Sequence, residues 1–279
     1  MGRMVELSPY DRSALREIHA FKNPEQAALS RWWGRVTEPV GKAADYVFDT
    51  SVAKAVQGIV SLLNDGASWT VRTEAIYAEF RSDGRSGVQG SIDIQKLSLE
   101  QVDRTVGHLA TKYKAIAAAE GAGAGASGGP AILVDVPALV GIALRVVNEY
   151  AAYYGFETST QGERMFAMAV LSAASSPTVA AKQVALAELT RASIMIGQRK
   201  TWEELQKVLS INAIKKVAEA LGIRLTKAKL AQVVPVTGAI VGAGFNAWYL
   251  DAVTEAAYML SRERFLIEKY GSDVVSMEG

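Results

Sequence analysis

The sequence predicts an all-α fold, a compact multi-helix bundle, from three observations. Apolar residues recur at helical spacing along most of the chain, and alternation of period two over strand lengths is almost absent. Hydroxyl residues repeatedly stand three positions before Glu or Gln, the spacing of a capping box at a helix N-terminus; the pairs are Ser98–Gln101, Thr160–Glu163 and Thr201–Glu204. Two apolar segments carry glycines four residues apart, so we expect two central glycine-rich apolar helices.

The helices can be placed in order from their start and stop signals. The first ends before Asn23-Pro24, the second begins near Pro39, and Ser68 is expected to cap the third. Ser176-Pro177 resembles a cap followed by proline at the first helical position, and Gly271 is expected to end the last helix. The expected helices span 10–22, 39–63, 68–80, 98–120, 131–154, 161–174, 177–198, 201–220 and about 235–271.

Residues 81–90 contain three glycines and are the clearest candidate for a flexible boundary. We therefore expect residues 1–90 to form an N-terminal helical segment that packs on a main helical core over residues 91–279. The two parts are expected to make one continuous domain, since 279 residues can share a single core.

The composition excludes several classes of function. The chain has no cysteine, which removes disulfides, thiolate metal sites and cysteine nucleophiles. Thirty basic and twenty-nine acidic residues give a net charge of +1, so no nucleic-acid partner is expected. The N-terminus has no apolar segment of signal-peptide length, and Glu6 stands where a myristoylation signal has Ser or Thr. We expect a cytoplasmic protein, with peripheral association at the inner face of the cell membrane.

The most informative segment is the chargeless run over residues 230–250, which contains Gly238 and Gly242. Its length matches the ~20 apolar residues of a membrane-spanning helix. Because Pro235 and Asn246 weaken that interpretation, we favour a buried core helix over reversible insertion or a stable span. A second array of small residues comprises Gly121, Gly125 and Gly129.

A basic cluster precedes the chargeless run, and an aromatic residue lies near its other end. Lys227 and Lys229 would suit contact with phosphate headgroups, and Trp248 is compatible with a membrane interface. The alternative is that both lysines are simply solvated and that Trp248 belongs to the core.

Several blocks of sequence resemble the EcsC family of bacterial proteins. They are LLNDGASWTVRTEAIYAEF (62–80), LATKYKAIAAAEGAGAGASGGP (109–130), LRVVNEYAAYYGF (144–156), ALGIRLTKAKLAQVVPVTGAIVGAGFNAWYL (220–250) and RERFLIEKYG (262–271). The resemblance extends from about Leu15 to Gly271 and is looser at the glycine-rich block after Glu120. It implies an accessory role in transport or membrane physiology, because the founding member is encoded beside an ATP-binding cassette (ABC) transporter. It supplies no catalytic motif.

Residues for catalysis or metal binding are sparse. The two histidines, His19 and His108, stand on different expected helices, so neither a metal nor a cofactor is expected. The chain has no G-x-S-x-G elbow, and its glycine block lacks the G-K-[ST] ending of a phosphate-binding loop. His108 is expected to be a partly buried polar residue.

Charges within apolar helices are the best candidates for a binding site. Arg145 and Glu149 stand four apart and can pair along one helix face. With Asn246 and His108 they are the candidate ligand-binding residues, lining a polar pocket for a headgroup. The alternative is a set of internal bridges between helices, which would also include Asp251, Glu255 and Arg262. Residues 262–264 are expected to form a solvated or bridged face.

These observations favour a non-catalytic accessory protein at the cytoplasmic face of a membrane. It would bind a lipid or acyl ligand, or a component of an ABC transporter. One alternative is a hydrolase of a lipid or other hydrophobic substrate, using a carboxylate with His108 or Ser175. Another is a structural scaffold that forms homo-oligomers through its glycine faces.

Overall fold

The computed structural model describes residues 6–23, 71–126, 136–176, 178–205, 207–208, 217 and 237–277. These residues form helices and no strand, so the predicted all-α bundle is confirmed. The helices are α1 (Pro9–Lys22), α2 (Thr73–Ser82), α3 (Ser91–Gln95), α4 (Leu99–Val106), α5 (Leu109–Ala126), α6 (Val136–Tyr153), α7 (Gln161–Ala174), α8 (Val179–Gly197), α9 (Trp202–Leu205) and α10 (Thr237–Tyr270), followed by a 3₁₀ helix (Ser272–Ser276). The expected helix over 39–63, the cap at Ser68 and most of the expected helix over 201–220 lie outside the described residues.

Helix α10 is the centre of the bundle. It packs most extensively along α5, and it also contacts α1, α6, α7 and α8. Residues 260–267 are buried around the whole helix circumference, which is typical of a helix surrounded by others rather than one on a surface.

Three consecutive charged residues lie in this buried part of α10: Arg262, Glu263 and Arg264, which are 2%, 1% and 4% exposed. Successive helical residues differ by about 100° around the axis, so the three side chains point in different directions from α10. The expectation of a solvated face is therefore wrong and that of a bridged one is right.

Each of the three charges has a partner on a helix other than α10, two of them on α1 and one on α7. Arg264 makes a bidentate pair with Glu163 of α7, with Nη1–Oε2 and Nη2–Oε1 distances of 2.8 and 2.6 Å. Glu263 accepts a hydrogen bond from Lys22 of α1. The Arg262 Nη1 donates to Glu17 Oε2 of α1 at 2.7 Å. Pairing of this kind offsets the cost of burying each charge.

A buried polar cluster surrounds Asp103 of α4. Its carboxylate accepts hydrogen bonds from the hydroxyl groups of Tyr10, at 2.8 Å, and Tyr154. Arg262 Nε lies 3.0 Å from Asp103 Oδ2, as an ion pair rather than an aligned hydrogen bond. Burial raises the pKa of Asp103, while Arg262 and the tyrosine hydroxyls act in the opposite direction. The cluster joins α1, α4 and α10 with the residue that follows α6.

Local capping explains where several helices begin. Ser98 and Gln101 form the predicted reciprocal capping box of α4. Thr160 Oγ1 accepts from the Glu163 amide at 3.3 Å, but the Glu163 carboxylate binds Arg264 instead of completing the box. Buried charge pairing has therefore taken precedence over the local cap.

Two expected helix limits are wrong for identifiable reasons. Helix α8 is capped by Thr178, whose side chain accepts from the Ala181 amide, because the Ser176 hydroxyl donates to Ser172 O at 3.1 Å. The expected helix over 98–120 is divided into α4 and α5. His108 Nδ1 lies 3.0 Å from Thr105 O. In a continuous helix this oxygen would accept a backbone hydrogen bond from residue 109, so the histidine side chain competes with the backbone where α4 ends.

Glycine is required where α6 ends. Gly155 has φ +77°, and a Cβ atom there would lie 2.6 Å from Ser91 O. Gly271 ends α10 with φ +91°, as predicted, and its amide donates to Ile267 O at 2.8 Å. Both residues therefore provide a left-handed backbone at a helix stop.

The segment between α2 and α3 is tied to the rest of the bundle. Arg81 Nη1 donates to Val88 O at 3.0 Å, Thr105 donates to Asp83 at 2.8 Å, and Val88 is buried. The division at residue 90 into two parts stays a prediction.

The glycine-rich segments belong to helices where they are described. Residues 121–126 continue α5, and α10 contains Gly238 and Gly242. Because Lys114 of α5 lies 3.3 Å from Asp251 of α10, these two long helices pair near their middles. A central position for their glycine-rich turns stays a prediction.

Candidate functional site

Three of the four candidate ligand-binding residues line one cavity. His108, Arg145 and Glu149 lie around a space of about 200 Å³ between α2, α5 and α6, which we call the α2–α5–α6 cavity. Asn246 belongs to α10, and none of the described residues that line this cavity comes from α10. The structure therefore brings His108, Arg145 and Glu149 together, while the side chain of Asn246 lies outside the described part of the structure and its grouping with them stays a prediction.

Helical spacing places the side chains on the walls of the cavity. Arg145, Glu149 and Tyr153 stand four residues apart and share one face of α6. His108, just before α5, and Lys112 share a face in the same way. The third wall is α2, with the lining residues Arg72, Ala75, Ile76 and Glu79 at or after its start.

The carboxylate of Glu149 is held by α5. Lys112 Nζ donates to Glu149 Oε1 at 2.5 Å, and the Tyr113 hydroxyl donates to the other oxygen. The expected pairing of Glu149 with Arg145 is not among the described ion pairs. Burial, followed by the hydrogen bond to Glu149, raises the pKa of Tyr113, so this hydroxyl stays a donor.

The second carboxylate, Glu79, joins His108 and Tyr153. Its Oε1 lies 3.2 Å from His108 Nδ1, and its Oε2 accepts a hydrogen bond from Tyr153 at 2.5 Å. The rings of His108 and Tyr153 meet edge to face, with centroids 5.9 Å apart. Because Nδ1 faces two oxygen acceptors, Thr105 O and Glu79, the neutral imidazole carries its proton there. Nε2 is then the nitrogen available as a base.

Two arginines at this cavity remain free to bind a ligand. Arg145 and Arg72 are exposed, and neither guanidinium makes a hydrogen bond or ion pair with another described residue. Lys112 balances the charge of Glu149, whereas Glu79 has only neutral donors. Among the described lining residues, two free arginines therefore stand against one uncompensated carboxylate, which leaves a net positive charge. The arrangement suits an anionic or strongly polar group of small size.

Four further lining residues were not predicted from the sequence: Glu79, Lys112, Tyr153 and Arg72. Tyr153 could have been found, because it continues the four-residue spacing of Arg145 and Glu149. Lys112 likewise follows His108 by four positions. Nothing in the spacing connects Glu79 or Arg72 to them, since α2 reaches α6 only through the tertiary fold.

Trp248 and Ser175, two other residues named from the sequence, do not line this cavity. Trp248 is half-buried and packs against the hydrophobic core. Lys227 and Lys229 lie outside the described residues. Ser175 is buried at the end of α7, where its hydroxyl donates to Leu171 O at 2.7 Å, and it does not line the cavity.

The helices in the described part of the chain include none with the length and apolar character needed to cross a membrane. No group of three or more His, Asp or Glu side chains in the same residues is arranged to hold a metal ion.

The chain belongs to the EcsC protein family, whose sequence model matches residues 12–266. It is similar to the Bacillus subtilis protein YdbA, with 24% identity over 279 residues that cover 95% of this chain and 96% of the relative. It is also similar to Protein EcsC of Bacillus subtilis, with 26% identity over 204 residues, which cover 72% of this chain and 80% of that protein. No solved structure matches the chain significantly.

Proposed function

We propose that this protein is a non-catalytic accessory protein that binds the anionic headgroup of a lipid or acyl ligand at the cytoplasmic face of a membrane. The observation that carries the proposal is the presence at the α2–α5–α6 cavity of two guanidinium groups, Arg72 and Arg145, that have no ion-pair partner among the described residues. Family membership supports the setting, because the resemblance to EcsC proteins implies a role beside a membrane transporter.

The size of the cavity supports a headgroup rather than a whole lipid. Its volume of about 200 Å³ is smaller than the ~300–1,000 Å³ of sites for drug-sized ligands. Val71, Ala75 and Ile76 give one side an apolar lining, against which the first carbons of a ligand would lie. The rest of an acyl chain would stay outside, in the membrane.

Arg145→Met tests the proposal directly. Because Arg145 has no described partner, the substitution is expected to change the free energy of unfolding by less than about 0.5 kcal/mol. Binding to phosphatidylglycerol vesicles should fall about tenfold, while the weaker binding to phosphatidylcholine vesicles should not change. The readout is co-sedimentation with vesicles at a fixed salt concentration.

The matched control is Arg191→Met, which removes an exposed arginine on α8, away from the cavity. Equal binding by the two variants would contradict the proposal, as would no binding of wild-type protein to either vesicle. Octyl phosphate and inorganic phosphate, each added in solution, distinguish a lipid headgroup from a free anion as the ligand. A site for a headgroup should bind octyl phosphate more tightly than inorganic phosphate. Binding to purified transporter components without lipid would favour the protein partner instead.

Fractionation of cells tests the membrane setting. Membranes are collected without detergent and washed with high salt, then with alkaline carbonate. Release by the salt wash is expected of a peripheral protein held by headgroup charge. Retention through both washes would instead indicate insertion of the chargeless run over residues 230–250.

A hydrolase is the second candidate, favoured by the contact between His108 and Glu79. A carboxylate that orients a histidine through Nδ1 leaves Nε2 to activate water. Phosphatidylglycerol and short acyl esters incubated with the protein should then yield products, and His108→Gln should abolish the activity. Turnover equal in wild type and variant would remove this candidate.

Homo-oligomerisation through the glycine faces is tested by mass in solution. A monomer at micromolar concentration would exclude a scaffold of that kind. If an oligomer is present, Gly242→Leu is expected to dissociate it before it affects vesicle binding.

A further inference from the structure

A second and larger cavity lies between α5, α6 and α10. Its volume is about 410 Å³, within the ~300–1,000 Å³ range of small-molecule sites. We call it the α5–α6–α10 cavity. Gly107, just before α5, and Ala110 leave room at one wall, and Tyr150 of α6 and Tyr258 of α10 line it as well.

Acidic residues outnumber basic ones around this cavity. Asp251 and Glu255 stand four apart on one face of α10, and Lys114 faces them from α5. Lys114 lies 3.3 Å from Asp251, but both side chains are more than half exposed, so water screens the pair. Glu255 makes no described hydrogen bond, and Lys182 of α8 is the cation that acts on it electrostatically.

The floor of the cavity holds an unpaired polar group. Tyr150 is only 2% exposed, and its hydroxyl has no hydrogen-bond partner among the described residues. Burial raises the pKa of Tyr150, so the hydroxyl stays protonated and neutral and can accept a hydrogen bond through its lone pairs. Its oxygen is not among the fully buried polar atoms that lack a partner, so it reaches the cavity, where a ligand or water can donate to it.

The aromatic rings add attraction for a cation. Tyr150 and Tyr258 lie with centroids 6.0 Å apart and an interplanar angle of 57°. One face of the Tyr258 ring is already covered by the Arg262 guanidinium, 4.8 Å from its centroid. Tyrosine rings and carboxylates at one site are the groups that recognise ammonium ligands in proteins.

We propose that the α5–α6–α10 cavity binds a small primary ammonium compound. The ammonium group carries three N–H donors, which the Glu255 carboxylate and the Tyr150 hydroxyl would accept at different depths of the cavity. This site is separate from the α2–α5–α6 cavity and does not depend on the function proposed there.

Butylammonium is the test ligand, and butanol is its uncharged counterpart. Titration calorimetry with wild-type protein should show binding of butylammonium at millimolar concentration and none of butanol. Glu255→Gln should weaken binding about tenfold, because it removes the charge that the ligand meets. Tyr150→Phe should weaken it about threefold while the protein stays folded, since the hydroxyl it removes has no partner.

Glu100→Gln is the matched control, because Glu100 is an exposed carboxylate on α4 whose described partner is Arg104. Binding by this variant and by Arg145→Met should equal that of wild type. No binding of butylammonium to wild-type protein would overturn the proposal. Unchanged affinity for butylammonium in Glu255→Gln or in Tyr150→Phe would also overturn the proposal. It would indicate attraction to surface charge, which does not require the floor of the cavity.

Discussion

Asp103 Oδ2 and Arg262 Nε lie 3.0 Å apart inside the bundle, with 4% and 2% of their side chains exposed. The first residue belongs to α4 and the second to α10, so the pair crosses the interior between helices far apart in the chain. Water is excluded from both charges, which makes each depend on the other far more than in a surface pair.

Arg262→Met should therefore destabilise the protein strongly. The substitution leaves Asp103 buried without its counter-charge, and we expect a loss of about 3–5 kcal/mol in the free energy of unfolding. Urea unfolding followed by circular dichroism measures it. Arg104→Met, which removes one side of an exposed pair on α4, is the control and should cost about 0.5 kcal/mol or less. Similar losses in the two variants would contradict the importance of the buried pair.

Removing the hydroxyl group should affect stability differently at two tyrosines, Tyr150 of α6 and Tyr154 directly after it. Tyr154 donates to the buried Asp103, so Tyr154→Phe should cost about 1–3 kcal/mol. Tyr150 has no described partner, so Tyr150→Phe should cost nothing and is expected to raise the unfolding midpoint slightly. The two midpoints in urea decide the matter, and a larger loss at Tyr150 would be inconsistent with this structure.

Gly155 and Gly84 have similar φ angles, so comparing them tests the effect of a steric contact alone. Both have positive φ, +77° and +84°, but only at Gly155 would a Cβ atom meet another residue, at 2.6 Å from Ser91 O. Gly84→Ala should cost about 1–2 kcal/mol from the left-handed backbone alone. Gly155→Ala should cost clearly more, because α3 must move as well. Thermal unfolding of the two variants gives the comparison, and equal losses would exclude the contact.

Alkaline pH should destabilise the protein through tyrosines that folding partly buries. Burial is the largest cause that raises the pKa of Tyr258 to about 12, and the same holds for Tyr270. The unfolded value is about 10. Because the folded pKa is the higher one, this contribution to stability is fully present below pH ~10 and is lost as the pH rises towards ~12.

Ultraviolet absorbance of tyrosinate during a pH titration checks this expectation. Native protein should ionise these tyrosines only as it unfolds, whereas protein in denaturant should ionise them near pH ~10. Ionisation of every tyrosine near the unfolded value while the helices remain intact would contradict the burial of these hydroxyl groups.

The sequence predicts best those features that depend on neighbouring residues. Helix α1 and helix α7 were placed within one residue of their limits, because their caps and apolar spacing are local signals. Where tertiary contacts compete with local ones, prediction fails. Glu163 was expected to complete a capping box, and it binds Arg264, 101 residues further along the chain.

The candidate site was predictable to the same extent. Arg145, Glu149 and His108 carry charge or polarity within apolar helices, and the cost of burying such groups pointed to them. Asn246 gave the same signal from α10, and its place in the binding site stays a prediction. The partners of Glu149 could not be predicted, because Lys112 and Tyr113 approach it from another helix, 37 and 36 residues away.

The three consecutive charges of α10 also constrain when the chain can fold. Their partners, among them Glu17, Lys22 and Glu163, leave the ribosome long before residues 262–264 do. Until then, packing the earlier helices would bury the carboxylates of Asp103 and Glu163, which are 4% and 10% exposed in the folded chain, without their counter-charges. Because an uncompensated buried charge costs several kcal/mol, we expect cooperative folding of the nascent chain to begin only when the last long helix emerges.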